Sequence, residues 1–172
     1  MNKPQLETPR TALLPLEFSD LPTTHALWTD PGVRKYLWDD VVITEDRAAE
    51  VIAASDDHFA RHGYGLWAVR ETQSSELMGV CGFRPSETGE PELLLAFWPR
   101  YWGKGIASEA ARAAISYVFD VLGRSQIVAA TDVPNAASIG ALQRLGMRLE
   151  RRGTLNDLDT VFYRLTRDQF QS

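Results

Sequence analysis

The segment Arg100-Tyr101-Trp102-Gly103-Lys104-Gly105-Ile106-Ala107 has the residue types and spacing best suited to chemistry. Two glycines one residue apart let the backbone come close to a ligand. From Ile106 to about Leu122 the pattern predicts an amphipathic helix, with Ile106, Ala110, Ala113, Tyr117 and Val121 at helical spacing. A helix start offers unpaired N–H groups and a positive dipole end to an anion. Ahead of the glycines, Glu92-Leu93-Leu94-Leu95-Ala96-Phe97-Trp98 predicts a buried strand. Strand, glycine turn and helix in that order form a holder for phosphate, so the chain reads as an enzyme with a phosphate-bearing cofactor. Two other phosphate motifs do not fit. A Walker A loop needs Ser or Thr after the lysine, and Gly105 follows Lys104. The dinucleotide fingerprint needs a third glycine where Ser108 stands.

The elements that must position this segment follow from breaks and caps. Residues 1–9 read as a polar lead-in, and Thr11 to Leu16 predicts a first strand ending near Pro15. Ser19-Asp20 stands where a cap belongs, ahead of a helix from Leu21 to Trp28. Asp30-Pro31-Gly32 breaks it, and a short helical turn follows from Val33 to Leu37. Thr44 is placed to cap a helix reaching about Arg61, closed by His62-Gly63. Gly65 to Val69 and Leu77 to Phe83 predict a hairpin around Glu71-Thr72-Gln73-Ser74-Ser75. Gly123 is placed to end the helix that follows the glycine turn. Gln126 to Ala130 predicts a further strand, and Ala136 to Leu145 a short helix ended by Gly146. Met147 to Arg152 and Val161 to Leu165 predict two last strands with Asn156-Asp157 in the turn. This order suits one α+β domain over residues 9–167, with a mostly antiparallel sheet rather than a doubly wound parallel one.

The bulk numbers agree with a single soluble domain. The chain has 172 residues, of which 44% are hydrophobic and 24% charged. A domain of that length buries roughly 70% of its unfolded surface and needs no staples. The net charge of −5 speaks against nucleic acid and allows a cationic amine as substrate. Cys81 is the sole cysteine, so no internal disulfide can form; in an apolar strand it reads as an inert core residue. No secretion signal opens the chain, and no apolar run approaches the roughly 18 residues that cross a bilayer. The cytoplasm is the expected location, with no membrane partner. His58 and His62 lie four apart, but no third ligand or glutamate completes a zinc site, so no metal is expected.

With both halves in view, the chain resembles the GNAT superfamily of N-acetyltransferases. That family's cofactor motif is Gln or Arg, two residues, Gly, one residue, then Gly or Ala; here it stands as Arg100-Tyr101-Trp102-Gly103-Lys104-Gly105. Its second signature is Asn135-Ala136-Ala137-Ser138, followed by Leu145-Gly146-Met147. The wording around Gly103, Ser108-Glu109-Ala110, and the opening from Pro9-Arg10 to Asp30-Pro31 resemble the ribosomal-protein N-terminal acetyltransferase branch. The resemblance covers about residues 9 to 167. It implies acetyl-CoA as cofactor and a sheet splayed between the strand before Gly103 and the strand ending near Thr131. The pantetheine arm would enter that gap and accept backbone hydrogen bonds from Leu95, Phe97 or Trp98. The diphosphate would sit on N–H groups from Trp102 through Gly103, Lys104, Gly105 and Ile106 to Ala107, with Arg100 and Lys104 as phosphate partners. Asn135 would hold the arm.

Acetyl transfer to an amine needs a neutral nucleophile, a donor for the developing oxyanion and help for the leaving thiolate. An α-amine, whose ordinary pKa is about 7.7–8.0, is partly neutral near physiological pH. A lysine at about 10.4 costs roughly 4 kcal/mol to deprotonate there. Glu92, a charge opening an apolar strand, is the first candidate base; Glu150 and Asp132 are weaker ones. Ser138 is the candidate donor toward the leaving sulfur. Many relatives carry a tyrosine acid seven residues after the asparagine, where this chain has Leu142. Trp102 reads as an anchor under the loop, and Trp38 with Asp39-Asp40 as candidate acceptor lining. The expected activity is direct transfer of acetyl, in a ternary complex, to a primary amine such as a protein N-terminal α-amine. The alternatives are a non-catalytic acyl-CoA sensing module and an acetyltransferase of free small amines. The terminal strands leave room for a homodimer.

Overall fold

The computed structural model describes residues 2–170, so Met1 of the lead-in lies outside the described residues. The chain opens with a two-residue strand β1 (Leu6–Glu7) that pairs with β2 (Thr11–Pro15). The polar lead-in hides β1, since two residues carry no periodicity. Three helices follow: α1 (Leu21–Thr29), α2 (Pro31–Leu37) and α3 (Glu45–His62). Asp30 both ends α1 and caps α2, its side chain accepting from the N–H groups of Gly32 and Val33. Thr44 caps α3 by accepting from Arg47 N–H at 3.0 Å, and Gly63 closes it with φ 81°.

A meander of β3 (Leu66–Glu71), β4 (Leu77–Pro85) and β5 (Pro91–Phe97) comes next. The glycine turn then leads into α4 (Ile106–Ser116). The helix expected to reach Leu122 widens in its last turn, where Leu122 N–H reaches back to the Tyr117 carbonyl at 3.1 Å. The chain finishes with β6 (Gln126–Asp132), α5 (Ala136–Arg144), β7 (Arg148–Leu155) and β8 (Leu158–Thr166). Asn156 and Asp157, at φ 52° and 64°, make the two-residue turn between the last strands.

All eight strands form one sheet in the order β1-β2-β3-β4-β5-β6-β8-β7. Every neighbouring pair is antiparallel except β5 and β6. Those two run parallel and share a single register pair, Glu92 with Val128. Beyond it they part, so the sheet is split from a vertex at Glu92 toward a mouth at Phe97 and Asp132. The fold is therefore α+β, mostly antiparallel and splayed. One face of the sheet packs Leu93, Phe97, Ile127 and Ala129 against α4 and α5. The other packs Leu66, Ala68, Val80 and Ala96 against α1, α2 and α3. Cys81 is fully buried in β4, and burial pushes its thiol up to about 12, as an inert core residue should be.

Candidate active site

The split between β5 and β6 exposes backbone that would otherwise be paired. Trp98 N–H bonds to the Met78 carbonyl at 3.1 Å, so at Trp98 the chain faces β4. Ladder polarity alternates along a strand. Leu93, Leu95 and Phe97 therefore turn their N–H and C=O groups toward β6, and past the vertex nothing in β6 meets Leu95 or Phe97. Leu95 and Phe97 thus turn backbone groups into the gap, where the resemblance expects an amide-bearing arm. Trp98 does not, because its N–H is already used on the far side. The Phe97 carbonyl accepts the Trp102 indole N–H at 2.8 Å, which leaves its N–H for the gap.

The glycine turn behaves as its sequence predicts. Gly103 and Gly105 have φ of 75° and 76°, a region that costs other L-residues roughly 1–2 kcal/mol. A Cβ on Gly103 would meet nothing within 4 Å, so its surface lies open to a ligand. The buried Ile106 roots the start of α4, whose first amides have no carbonyl one turn behind them. Lys104 and Ala107 flank these amides, and Lys104 is exposed, with no ion pair among the described residues. Arg100 departs from expectation: its guanidinium pairs with Glu76 and lies 5.2 Å from the Trp98 ring and 4.9 Å from the Tyr101 ring. Both partners are about half exposed, so the pair is worth only about 0–1 kcal/mol and can be given up. Trp102 is tied to β5 by its indole N–H but is half exposed, so it is not the buried anchor expected.

On the opposite strand, Asn135 caps α5 by accepting from Ser138 N–H at 3.1 Å. That fixes the turn and leaves the Asn135 amide donor group for a cofactor carbonyl. Ser138 is half-buried on the first turn of the same helix. Leu142 is buried in the core against α4. The position that bears a tyrosine in many relatives faces packing here, so no hydroxyl is available from it.

Glu92 lies at the vertex, directly opposite Arg84 across β4–β5, and the two form an ion pair at 2.7 Å. Glu90, just before β5, accepts from Gln126 at 2.6 Å and from Arg164 at 2.8 Å. Arg164 also bonds Glu150 at 2.8 Å, so Glu150 is tied into this clasp and is not aimed at the gap. The side-chain bonds of Glu90 bridge β5 to β6 and β8 where the backbone offers one register pair.

At the mouth, a cavity of about 340 Å³ is lined by Tyr36, Asp40, Asp132, Pro134, Leu158 and Asp159, with Lys35 at its edge. Tyr36 hydroxyl donates to the Pro134 carbonyl at 3.4 Å and ties α2 to the turn after β6. Asp40 is paired with Arg34 and Asp159 with Arg152. Asp132 has no such partner among the described residues. Burial first, and then the charge of Asp39, push its carboxyl above the ordinary aspartate range. Of the Asp39-Asp40 pair expected to line an acceptor site, Asp40 borders this cavity and Asp39 does not. Trp38 instead packs edge-on against Trp28 at 5.9 Å, behind that lining. Tyr36, Pro134, Leu158 and Asp159 carry no sequence signal; only the fold brings them together.

Comparison with known proteins agrees with this architecture. The acetyltransferase (GNAT) domain family matches residues 10–148. The uncharacterized N-acetyltransferase p20 of Bacillus licheniformis is 30% identical over 162 residues, 93% of this chain and 90% of the relative. An acetyltransferase of Agrobacterium tumefaciens superposes with a TM-score of 0.86 at 22% identity, over 97% of this chain and 96% of that one. A spermidine N-acetyltransferase of Vibrio cholerae, solved with coenzyme A and spermine, gives 0.77 at 19% identity, over 94% and 98%. RimL, a ribosomal alpha-N-protein acetyltransferase bound to coenzyme A, gives 0.80 at 19%, over 96% and 99%. The chain belongs to the GNAT acetyltransferase family. It is an acetyl-CoA-dependent N-acetyltransferase, which answers the sensing-module alternative. The open glycine turn and the unpaired edge of β5 fit that cofactor. Among the described residues, no helix is long and apolar enough to cross a membrane.

Proposed function

We propose that the enzyme acetylates a cationic primary amine that enters by the acidic mouth and attacks directly in a ternary complex. The observation that carries this reading is Asp132, a half-buried carboxylate without an ion-pair partner among the described residues, on the wall of the mouth cavity. Acetyl-CoA supplies an acetyl group activated on a thioester sulfur. Leu95, Phe97 and Asn135 hold the arm of that cofactor, and the Gly103–Ala107 amides hold its diphosphate. Asp132 draws the protonated amine in, while Tyr36, Pro134 and Leu158 exclude water around its carbon chain. Glu92, at the vertex, takes the ammonium proton through a chain of water, with Arg84 steadying the carboxylate. Ser138 would donate a hydrogen bond toward the cofactor's sulfur. Cys81, buried and without a histidine partner, plays no covalent part.

The test is a rate comparison over amines of equal length with and without a second cationic group, alongside peptides with a free N-terminus. The expected result is the highest kcat/KM for the dicationic amine, reduced about tenfold in Asp132→Asn. Preference for N-terminal peptides in the wild type, unchanged in Asp132→Asn, would overturn the acceptor assignment and favour a protein substrate.

A further inference from the structure

Four bonds tie the tip of the β1–β2 turn to the glycine loop and the first turn of α4, more than 90 residues away. Arg10 Nη1 donates to the Lys104 carbonyl at 2.9 Å. Arg10 Nε donates to Glu109 Oε1 at 3.0 Å, and Arg10 backbone N–H to Glu109 Oε2 at 3.2 Å. Thr8 hydroxyl gives its one hydrogen to Glu109 Oε2 at 2.6 Å. Having donated there, the Thr8 oxygen accepts from Thr11, from its hydroxyl at 2.7 Å and its N–H at 3.0 Å. Thr11 is fully buried, so the arrangement is rooted in the core. Burial would raise the Glu109 carboxyl, but the bonds from Thr8 and Arg10 outweigh it and hold the group below the usual range. Glu109 therefore favours its ionised form, and its two oxygens hold Arg10 in place.

The direction of the Arg10–Lys104 bond matters. Among the described residues no peptide is cis, and in a planar trans peptide the C=O and the following N–H point opposite ways. A guanidinium that fixes the Lys104 carbonyl therefore aims Gly105 N–H away from Arg10, toward the open side of the loop. The same guanidinium lies 3.5 Å from where a Cβ on Gly105 would stand, so it also limits how that peptide can turn. A loop with two residues at positive φ has several peptide orientations open to it, and Arg10 selects one.

We propose that Arg10, held by Glu109 and Thr8, is a positioning residue for the cofactor diphosphate: it locks the Lys104–Gly105 peptide so that its N–H faces the anion. This rests on the acetyl-CoA assignment and not on the choice of acceptor. The test compares acetyl-CoA with acetyl-pantetheine, a thioester that lacks the diphosphate, in the wild type and in Arg10→Ala. The expected result is a rise of about tenfold in the KM for acetyl-CoA with kcat at saturation kept, and no change in kcat/KM for acetyl-pantetheine. Arg10→Lys, which retains a donor and a charge, should recover part of the loss. Glu109→Gln serves as the second variant should Arg10→Ala fold poorly, and it should show the same selective loss. A parallel fall for both thioesters, or no change for either, overturns the proposal and leaves these residues a purely structural role.

Discussion

The two walls of the split sheet are built from different materials. The cofactor wall is backbone: the unpaired edge of β5 at Leu95 and Phe97, two glycines at positive φ, and the first amides of α4. The wall proposed for the acceptor is side chain: Tyr36 from α2, Asp132 and Pro134 after the parting of β6, and Leu158 and Asp159 from the last hairpin. A backbone wall recognises what every acyl-CoA shares, amides and phosphates. It tolerates change in most side chains but not in the residues that set φ. A side-chain wall can be rebuilt by single substitutions, which is how one fold serves many acceptors.

The largest effects should come from the atoms nearest the chemistry. Glu92→Gln removes the proposed base and keeps the shape. Proton transfer by a placed side chain contributes typically about 10²–10⁴-fold, so kcat should fall by about a hundredfold or more, with the KM for acetyl-CoA unaltered. A fall below threefold in steady-state kinetics would pass the role to water alone. Gly105→Val strikes the other wall. A branched residue at φ 76° is strained by at least about 1–2 kcal/mol and approaches Arg10, so affinity for coenzyme A should drop at least about tenfold by calorimetry. The two variants should divide cleanly, one in kcat and the other in cofactor binding.

That division explains what can be read without coordinates. The cofactor wall is legible because its requirements are local: Gly103, Gly105 and the helical spacing from Ile106 lie within one short segment, and Asn135 with Ser138 form a second. The element order is legible for the same reason, down to Thr44 as a cap and Asn156-Asp157 as a turn. Arg100 misleads because a cation beside a phosphate loop looks committed to phosphate, whereas Glu76 arrives from the β3–β4 turn to claim it. Trp98 misleads because the side of a strand on which backbone groups point depends on its partner, here Met78. The acceptor wall combines residues more than 90 positions apart in sequence, and no periodicity announces that.

Asp132→Asn probes the acceptor wall with two opposite signs. The folded pKa of Asp132 is raised, so its ionised form disfavours the fold; the group supports stability below its unfolded pKa, and that support is lost as pH rises through the folded value. Neutral asparagine should therefore raise the melting temperature slightly at pH 7 while raising the acceptor KM about tenfold. In the wild type, the acceptor KM should begin to climb in acid above the ordinary aspartate pKa of about 3.9, as Asp132 takes up its proton. The variant should lack that inflection. A melting temperature that falls in the variant would mean that Asp132 has a structural partner.

The smallest effect on turnover, and the one that joins both walls, should come from the vertex. Arg164→Leu removes the guanidinium that bonds Glu90 and Glu150 while keeping much of its apolar stem. Glu90 loses its charged partner but keeps Gln126, at a cost of about 1 kcal/mol, while Glu150 is left to solvent. For a chain of this length that is a fall of roughly 2–4 °C in melting temperature per kcal/mol. Because Glu90 reaches across to β6 and β8, its bonds hold the half-sheets together below the split. Arg164→Leu should therefore raise the KM of acetyl-CoA and of the acceptor together, by a few fold each, since one angle sets both walls. A variant that loses stability but keeps both constants would show that the opening is fixed by the packing of α4 and α5 beneath it, with the clasp contributing only to the melting point.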